Sequence, residues 1–252
     1  MTLPKISIIT PSFNQAAYIE QNIQSVMAQE YPNFEHIIID GGSQDGTVEI
    51  LKKYPHLIWI SEKDEGQADA LNKGLAVVTG EIVGWINSDD YYAENCFKKI
   101  SSILDGKSLS WCASHLYSID EESGLIEKNF TNRITYHSLM SGAAKVRQPG
   151  SFYTTKILQE VGGWNKDFYM IMDRELWVRL ARLTEPIVVD EFFAYFRRHA
   201  AQKSGAKNIV IQNREYFRLS YREKNPILFL RRASYNNLLR SKNFVKKLLG
   251  FK

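Results

Sequence analysis

A chain of 252 residues can bury a sizeable core as one large domain or two small ones, and its 44% hydrophobic and 24% charged residues exclude a wholly disordered or fibrous protein. No apolar run reaches the roughly 18–20 residues of a membrane span, no secretory leader is recognisable at the start, and two cysteines, Cys96 and Cys112, make neither a disulfide framework nor a zinc site, so reduced thiols in an intracellular protein are expected. The net charge of +4 splits into −7 over residues 1–202 and +11 over residues 203–252, which points the tail at an anionic partner or at solvated helix faces.

In chain order, Lys5–Thr10 reads as a buried β-branched strand stopped by Pro11. Asn14 is expected to cap a helix over 15–29, with Ile19, Ile23, Val26 and Met27 on one face. Glu35–Asp40 is a second strand, and Ser43 or Asp45 caps a helix running to about Tyr54. Leu57–Ser61, a helix over 65–78 and the strand Glu81–Asn87 continue the alternation, which is the pattern of a mostly parallel sheet covered by helices. The second half is less regular. Strands are expected over Ser108–Ser118, Gly124–Phe130, Gly150–Thr154 and Ile187–Phe196, with a short helix over Glu175–Leu183. From about 208 the tail reads as helices broken at Asn225-Pro226.

In such sheets, ligands bind at the carboxyl ends of parallel strands. Four strand ends carry polar or turn residues: Pro11–Asn14, Asp40–Ser43, Glu62–Gly66 and Asn87–Asp90. The adjacent carboxylates Asp89 and Asp90 repel each other unless neutralised. Mg2+ or Mn2+ does so and draws its other ligands from phosphate and water; alternatively one of the pair caps a helix near Glu94. Asp40 begins a glycine-rich turn that is no P-loop, since no Lys-Ser/Thr follows. It either accepts a hydrogen bond from a base or ribose group or is tied into its own turn. Asp173 reads as a helix cap or as a general base, and spacing alone favours the cap. His199, among Arg197, Arg198 and Lys203, reads as solvated or as a metal or phosphate ligand.

Taken together, the motifs ISIITPSFN, IIIDGGSQDGT, SEKDEGQADALNKG, GEIVGWINSDD, RQPGSFY, EVGGW, MDRELWVRL and FRRHAAQKS resemble, in order and spacing, family 2 glycosyltransferases of the cell-surface polysaccharide type over about residues 4–204. The resemblance implies an α/β protein with the GT-A fold: a Rossmann-like three-layer α/β/α arrangement around a mixed, mostly parallel sheet, with a C-terminal helical extension. It implies a donor half over 1–107, an acceptor half over 108–204 and a basic extension over 205–252. The implied reaction is inverting transfer of a sugar from a nucleotide diphosphate, UDP above all, to a saccharide or lipid-linked saccharide, with Mn2+ or Mg2+ as cofactor.

By the same resemblance, Pro11, Ser12, Phe13, Asn14, Asp40 and Asp64 face the nucleoside, with Asp69, Lys73, Ser88 and Asp89 beside them. Asp90 and His199 are the expected metal ligands, Asp173 the base, and Gln148, Pro149, Gly150 and Trp164 the acceptor side. Met172 stands where the family usually has an acid before the base. The other readings are a nucleotidyltransferase on a similar sheet, against which the PSFNQAA segment counts, and a non-catalytic module bound to an anionic surface by its tail. The tail, with Phe229, Leu230, Tyr235, Leu238, Leu239, Phe244 and Leu248 among its basic residues, suits an anionic membrane at the inner cytoplasmic face; packing on the domain or on a second copy in a homo-oligomer is the alternative. Nucleic acid is not an expected partner.

Overall fold

The computed structural model describes residues 3–122, 124–200, 202–203 and 208–225. Four strands, β1 (Ile6–Ser12), β2 (Phe34–Asp40), β3 (Ile58–Ser61) and β4 (Ile82–Trp85), pair in parallel in the order β3-β2-β1-β4. They alternate with α1 (Ile19–Met27), α2 (Thr47–Leu51) and α3 (Gln67–Val77). Strand β5 (Tyr91–Tyr92) and helix α4 (Cys96–Leu104) follow, then β6 (Trp111–Asp120), β7 (Ile126–Asn129), α5 (Tyr136–Met140), β8 (Ser151–Thr154), α6 (Thr155–Glu160), α7 (Met172–Leu183), β9 (Ile187–Arg198) and α8 (Ile209–Arg222). The sheet continues past β4 as β8-β6-β9-β5, with β7 paired to β6. Here β9 runs parallel to β6, whereas β8, β7 and β5 are antiparallel to their neighbours.

Apolar residues cover both sheet faces, as a three-layer arrangement requires. One face packs Ile9, Val83, Trp111 and Tyr153 under α3, α6 and α7, and Tyr216 and Leu219 of α8 join this core. The other packs Ile8, Ile82 and Phe152 under Val26 of α1 and Phe97 and Ile100 of α4. Each fully buried side chain of this size contributes about 1.5–3 kcal/mol by leaving water. Gly84 of β4 has no room for a side chain: a Cβ there would lie 2.7 Å from the Phe152 ring and 2.8 Å from the Tyr92 hydroxyl.

Two local expectations are corrected. Asn14 caps no helix: it has φ of 52°, its side chain accepts the Gln44 amide, and α1 starts only at Ile19. The Asp45 carboxylate takes the Ala16 amide and so holds the intervening turn out of the helix. Neither Asp89 nor Asp90 caps the next helix, because α4 begins after Asn95. Beyond Asn225 the expected helices, with Phe229 through Leu248, lie outside the described residues. Among the described residues, no helix is long and apolar enough to cross a membrane.

Candidate active site

Register builds the rim of the site. Ser12, Asp40 and Ser61 pair in line at the carboxyl ends of β1, β2 and β3. β4 ends earlier, its Trp85 opposite Ile9, so the chain from Asn87 to Asp90 turns beside the end of β1. Asp40 is fully buried, and its carboxylate accepts the Gly42 and Ser43 amides at 3.1 and 2.9 Å and the Ser43 and Ser61 hydroxyls. Its oxygens are thus bonded to the turn after β2 and to Ser61 at the end of β3. That turn presents Gly41 to a corner formed by Phe13 and Asp64: a Cβ on Gly41 would sit 2.9 Å from the Asp64 carboxylate and 3.2 Å from the Phe13 ring. Phe13 is 59% exposed although it follows a buried strand, and the Ser12 hydroxyl is buried with no partner. Pro11 lies within β1 opposite Ile39.

Asp69 and Lys73 on α3 are engaged elsewhere. Lys73 binds Glu62 at 2.6 Å and Asp69 at 3.6 Å, and Lys166 adds a contact to Asp69 at 3.2 Å. The amide of Glu65 and these two ammonium groups hold the Asp69 carboxyl below its usual range.

The acidic corner divides its two carboxylates. Asp90 is buried, and it accepts the Arg197 amide of β9 at 2.9 Å. Burial, and then the charge of Asp89, push its carboxyl well above the ordinary carboxylate range. Asp89 keeps a partly exposed side chain, and its Oδ2 lies 3.0 Å from Nε2 of His199. The His199 side chain is buried against the Tyr18 ring, and its Nδ1 has no partner. Asn22 of α1 fixes the corner by donating to the carbonyls of Asn87 and Asp90, and Arg197 donates to the Asp89 carbonyl. Ser88 is buried between them in sequence.

The second half of the chain closes on this corner. Gln148, in a 3-10 turn with Pro149 and Gly150, donates to the Trp85 carbonyl at the end of β4, and its Oε1 is buried without a partner. Trp164 stands edge-on to Trp85 at 5.6 Å, fixed by two bonds from its backbone to Asn72, and its indole N–H is likewise buried and unpaired. Buried polar atoms normally find partners. Ser12, Gln148, Trp164 and His199, each expected at the site from sequence, all carry one that lacks it.

Asp173 occupies the first turn of α7 behind Ile171, and is not the cap residue. Its carboxyl is raised by burial, against the opposing pull of the Arg174 amide and of the Arg174 and Lys203 charges. Lys203 escaped the sequence reading except as a neighbour of His199. Its Nζ donates to Gln67 at 2.8 Å and lies 3.9 Å from the centre of the Tyr169 ring. Burial lowers it to about 8, against the charges of Asp173 and Glu215. Gln67 in turn donates to Asn87, which also receives the Trp85 indole N–H. A hydrogen-bonded chain thus runs from Lys203 through Gln67 to the acidic corner. Only the FRRHAAQKS segment could have signalled Lys203.

A family model described as glycosyl transferase family 2 matches residues 7–162. Among curated relatives, an uncharacterized glycosyltransferase of Mycobacterium tuberculosis, Rv1514c, is 30% identical over 193 residues, covering 74% of this chain and 72% of the relative. TuaG of Bacillus subtilis, named for teichuronic acid biosynthesis, is 38% identical over 127 residues, covering 48% of this chain and 50% of TuaG. Among solved structures, S. aureus TarS 1–349 in complex with UDP-GlcNAc superposes with a TM-score of 0.68 at 20% identity, over 90% of this chain and 72% of that one. The mannosyltransferase PcManGT of Pyrobaculum calidifontis, in complex with GDP-Man and Mn2+, gives 0.64 at 21% identity, over 89% and 68%. The match covers 43% of the longer TarS chain.

Proposed function

The chain belongs to glycosyl transferase family 2 and is a glycosyltransferase, and we propose that it moves a sugar with inversion from a UDP-linked donor to a hydroxyl of a saccharide or lipid-linked saccharide in cell-surface polysaccharide synthesis. One observation carries this reading. The half-buried carboxyl of Asp173 interacts with the charge of Lys203, which donates to Gln67, and Gln67 donates to Asn87, two residues before the Asp89 carboxylate that pairs with His199. The UDP donor is supported by the fold shared with UDP-GlcNAc-bound TarS, and the polysaccharide product by the kinship with TuaG.

Asp89 and His199 are the residues assigned to a divalent cation. Their donor atoms lie 3.0 Å apart, one carboxylate oxygen and one imidazole nitrogen, which suits Mn2+ or Mg2+. Among the described residues no group of three or more ligating side chains gathers, which matches cations that take their remaining ligands from substrate phosphates and water. This exchanges the roles expected within the pair: the Asp90 carboxyl is turned inward to the Arg197 amide, so Asp89 takes the metal. When bound, the cation stabilises the charge of the departing diphosphate as a Lewis acid.

On the donor side, Phe13, Gly41 and Asp64 form the corner for the nucleoside, with the Ser12 hydroxyl free to bond it. Asp173 accepts the proton of the acceptor hydroxyl while that oxygen bonds the anomeric carbon and the bond from carbon to the diphosphate oxygen breaks. A carboxyl raised by burial is a stronger base than an exposed one. Gln148 and Trp164 offer the acceptor an acceptor oxygen and an indole donor. The basic residues after 225 bring the enzyme to an anionic membrane surface on the cytoplasmic side, where a lipid-linked acceptor resides.

The test is nucleotide release from a panel of UDP- and GDP-sugars with saccharide acceptors, in Mn2+, Mg2+ or EDTA. Release from a UDP-sugar that EDTA abolishes and that Asp173→Asn lowers about 10²–10⁴-fold is the expected result. Undiminished turnover by Asp173→Asn overturns the role of the base, and undiminished turnover in EDTA overturns that of the metal.

A further inference from the structure

Helix α8 lies beyond the segment matched by the family model, yet it grips the chain on both sides of Asp173. Its Glu215 is 5% exposed and accepts three successive backbone N–H groups, from Tyr169 and Met170 at 2.7 Å and from Ile171 at 3.0 Å. Ile171 is the residue at which α7 begins, two positions before Asp173. Arg218, one turn further along α8, donates to the Asp167 carbonyl at 2.9 Å. Arg222, a turn beyond, binds Glu175, which is fully buried and also receives Arg179. The segment 167–171 before the base and residue 175 after it are therefore fixed by one helix, with Tyr216 and Leu219 packed into the core between those contacts.

A carboxylate that gathers three amide donors forms charge-assisted bonds. Placed at the start of a helix, it also meets the positive end of the helix dipole. Together these contacts leave the first turn of α7 with one orientation. The same carboxylate fixes the amide of Tyr169, whose ring lies under the Lys203 ammonium.

We propose that Glu215 is a positioning residue for the general base: it holds the turn 169–171 so that α7 presents Asp173 to the acceptor hydroxyl, which makes α8 part of the active site. The inference rests on the assignment of Asp173 as base.

The experiment uses the full chain with the UDP- or GDP-sugar of the panel above that the wild type turns over fastest, in Mn2+. Glu215→Gln is isosteric but neutral: it keeps one acceptor oxygen and puts an NH2 in place of the other, so at least one of the three N–H groups loses its partner. Its kcat is expected to fall about tenfold or more, as small misplacements of a reacting group do, with the donor KM within twofold of wild type. Glu215→Asp, which keeps the charge, recovers part of the loss. Adding Glu215→Gln to Asp173→Asn costs nothing further, because one residue acts through the other.

A fall in thermal midpoint with kcat per folded molecule unchanged overturns the proposal, as does a full additive loss in the double variant. If Glu215→Gln does not fold, Arg222→Met tests the other grip on α7 and is expected to lower kcat in the same KM-sparing way; an unchanged kcat there overturns the proposal too. Failure of the underlying reading is separable: Asp173→Asn is then active on its own, whatever Glu215 does.

Discussion

The two halves of the sheet build their parts of the site in different ways. From β1 through β4 the candidate site residues lie at or just past strand ends, apart from Asp69 and Lys73 on α3, and neighbouring strands share a register that sets Ser12, Asp40 and Ser61 side by side. Part of this rim is fixed from nearby in sequence, since Asp40 bonds Gly42, Ser43 and Ser61 and Asp64 takes the Gly66 amide, while Asn22 reaches the carbonyls of Asn87 and Asp90 from α1. In the second half of the chain the partners come from far away. The turn before Asp173 bonds Glu215 of α8, Trp164 bonds Asn72 of α3, and His199 meets Asp89 and Tyr18. A rim made of strand ends is stiff because the sheet is stiff. A helix start needs other elements to hold it, and here α8 does so through Glu215.

The sharpest way to break this comparison is at the acidic corner, where the donor half meets β9. Asp89→Ala is expected to weaken Mn2+-dependent binding of UDP about 10–100-fold or more, whereas Asp90→Asn leaves it within about threefold, measured by calorimetry. The asymmetry follows from Asp90 being buried with its carboxylate on the Arg197 amide, whereas Asp89 keeps a partly exposed carboxylate 3.0 Å from His199. Equal losses in both variants would return the metal to Asp90.

A middle-sized effect tests the link between the halves. The Lys203 ammonium, lowered to about 8 by burial, loses its charge as pH rises through that value. Since its bond to Gln67 joins the acidic corner, wild-type kcat is expected to decline above about pH 8 as the ammonium loses its charge. Lys203→Met should be several-fold slower at pH 7 and lack this alkaline limb. A limb that persists in the variant assigns it to another group.

The smallest effect concerns the opposite end of the parallel strands, away from the site. Glu35 is buried, which by itself would raise its carboxyl, yet bonds from Lys5, Ser7 and Thr79 bring it down to about 2. A folded value below the unfolded one means the stabilisation is full above about pH 4.5 and is lost as pH falls toward 2. On the order of 2–3 kcal/mol is involved. Urea unfolding from pH 6 to pH 2.5 should show that decline, and Glu35→Gln should flatten it. An equally steep variant places the acid sensitivity elsewhere in the molecule.

The sequence by itself determined the alternation of β1 to β4 with their helices, because buried parallel strands must be apolar runs and the connections between them are short. It also determined which strand ends carry polar residues, since polar residues directly after Ile-rich runs fall at the rim whatever the rest of the chain does. It misjudged Asn14, whose cap-like identity serves a left-handed turn instead of a helix, because the competing bond to Gln44 comes from another loop. Only the tertiary structure decided which of Asp89 and Asp90 is buried, since two adjacent residues point to different surroundings and β9 supplies the amide that claims one of them. Only the tertiary structure, too, showed Lys203 joined to Gln67 and Glu215 at the head of α7. These partners lie 136 and 44 residues apart along the chain, and no local spacing encodes a contact that the packing of distant elements creates.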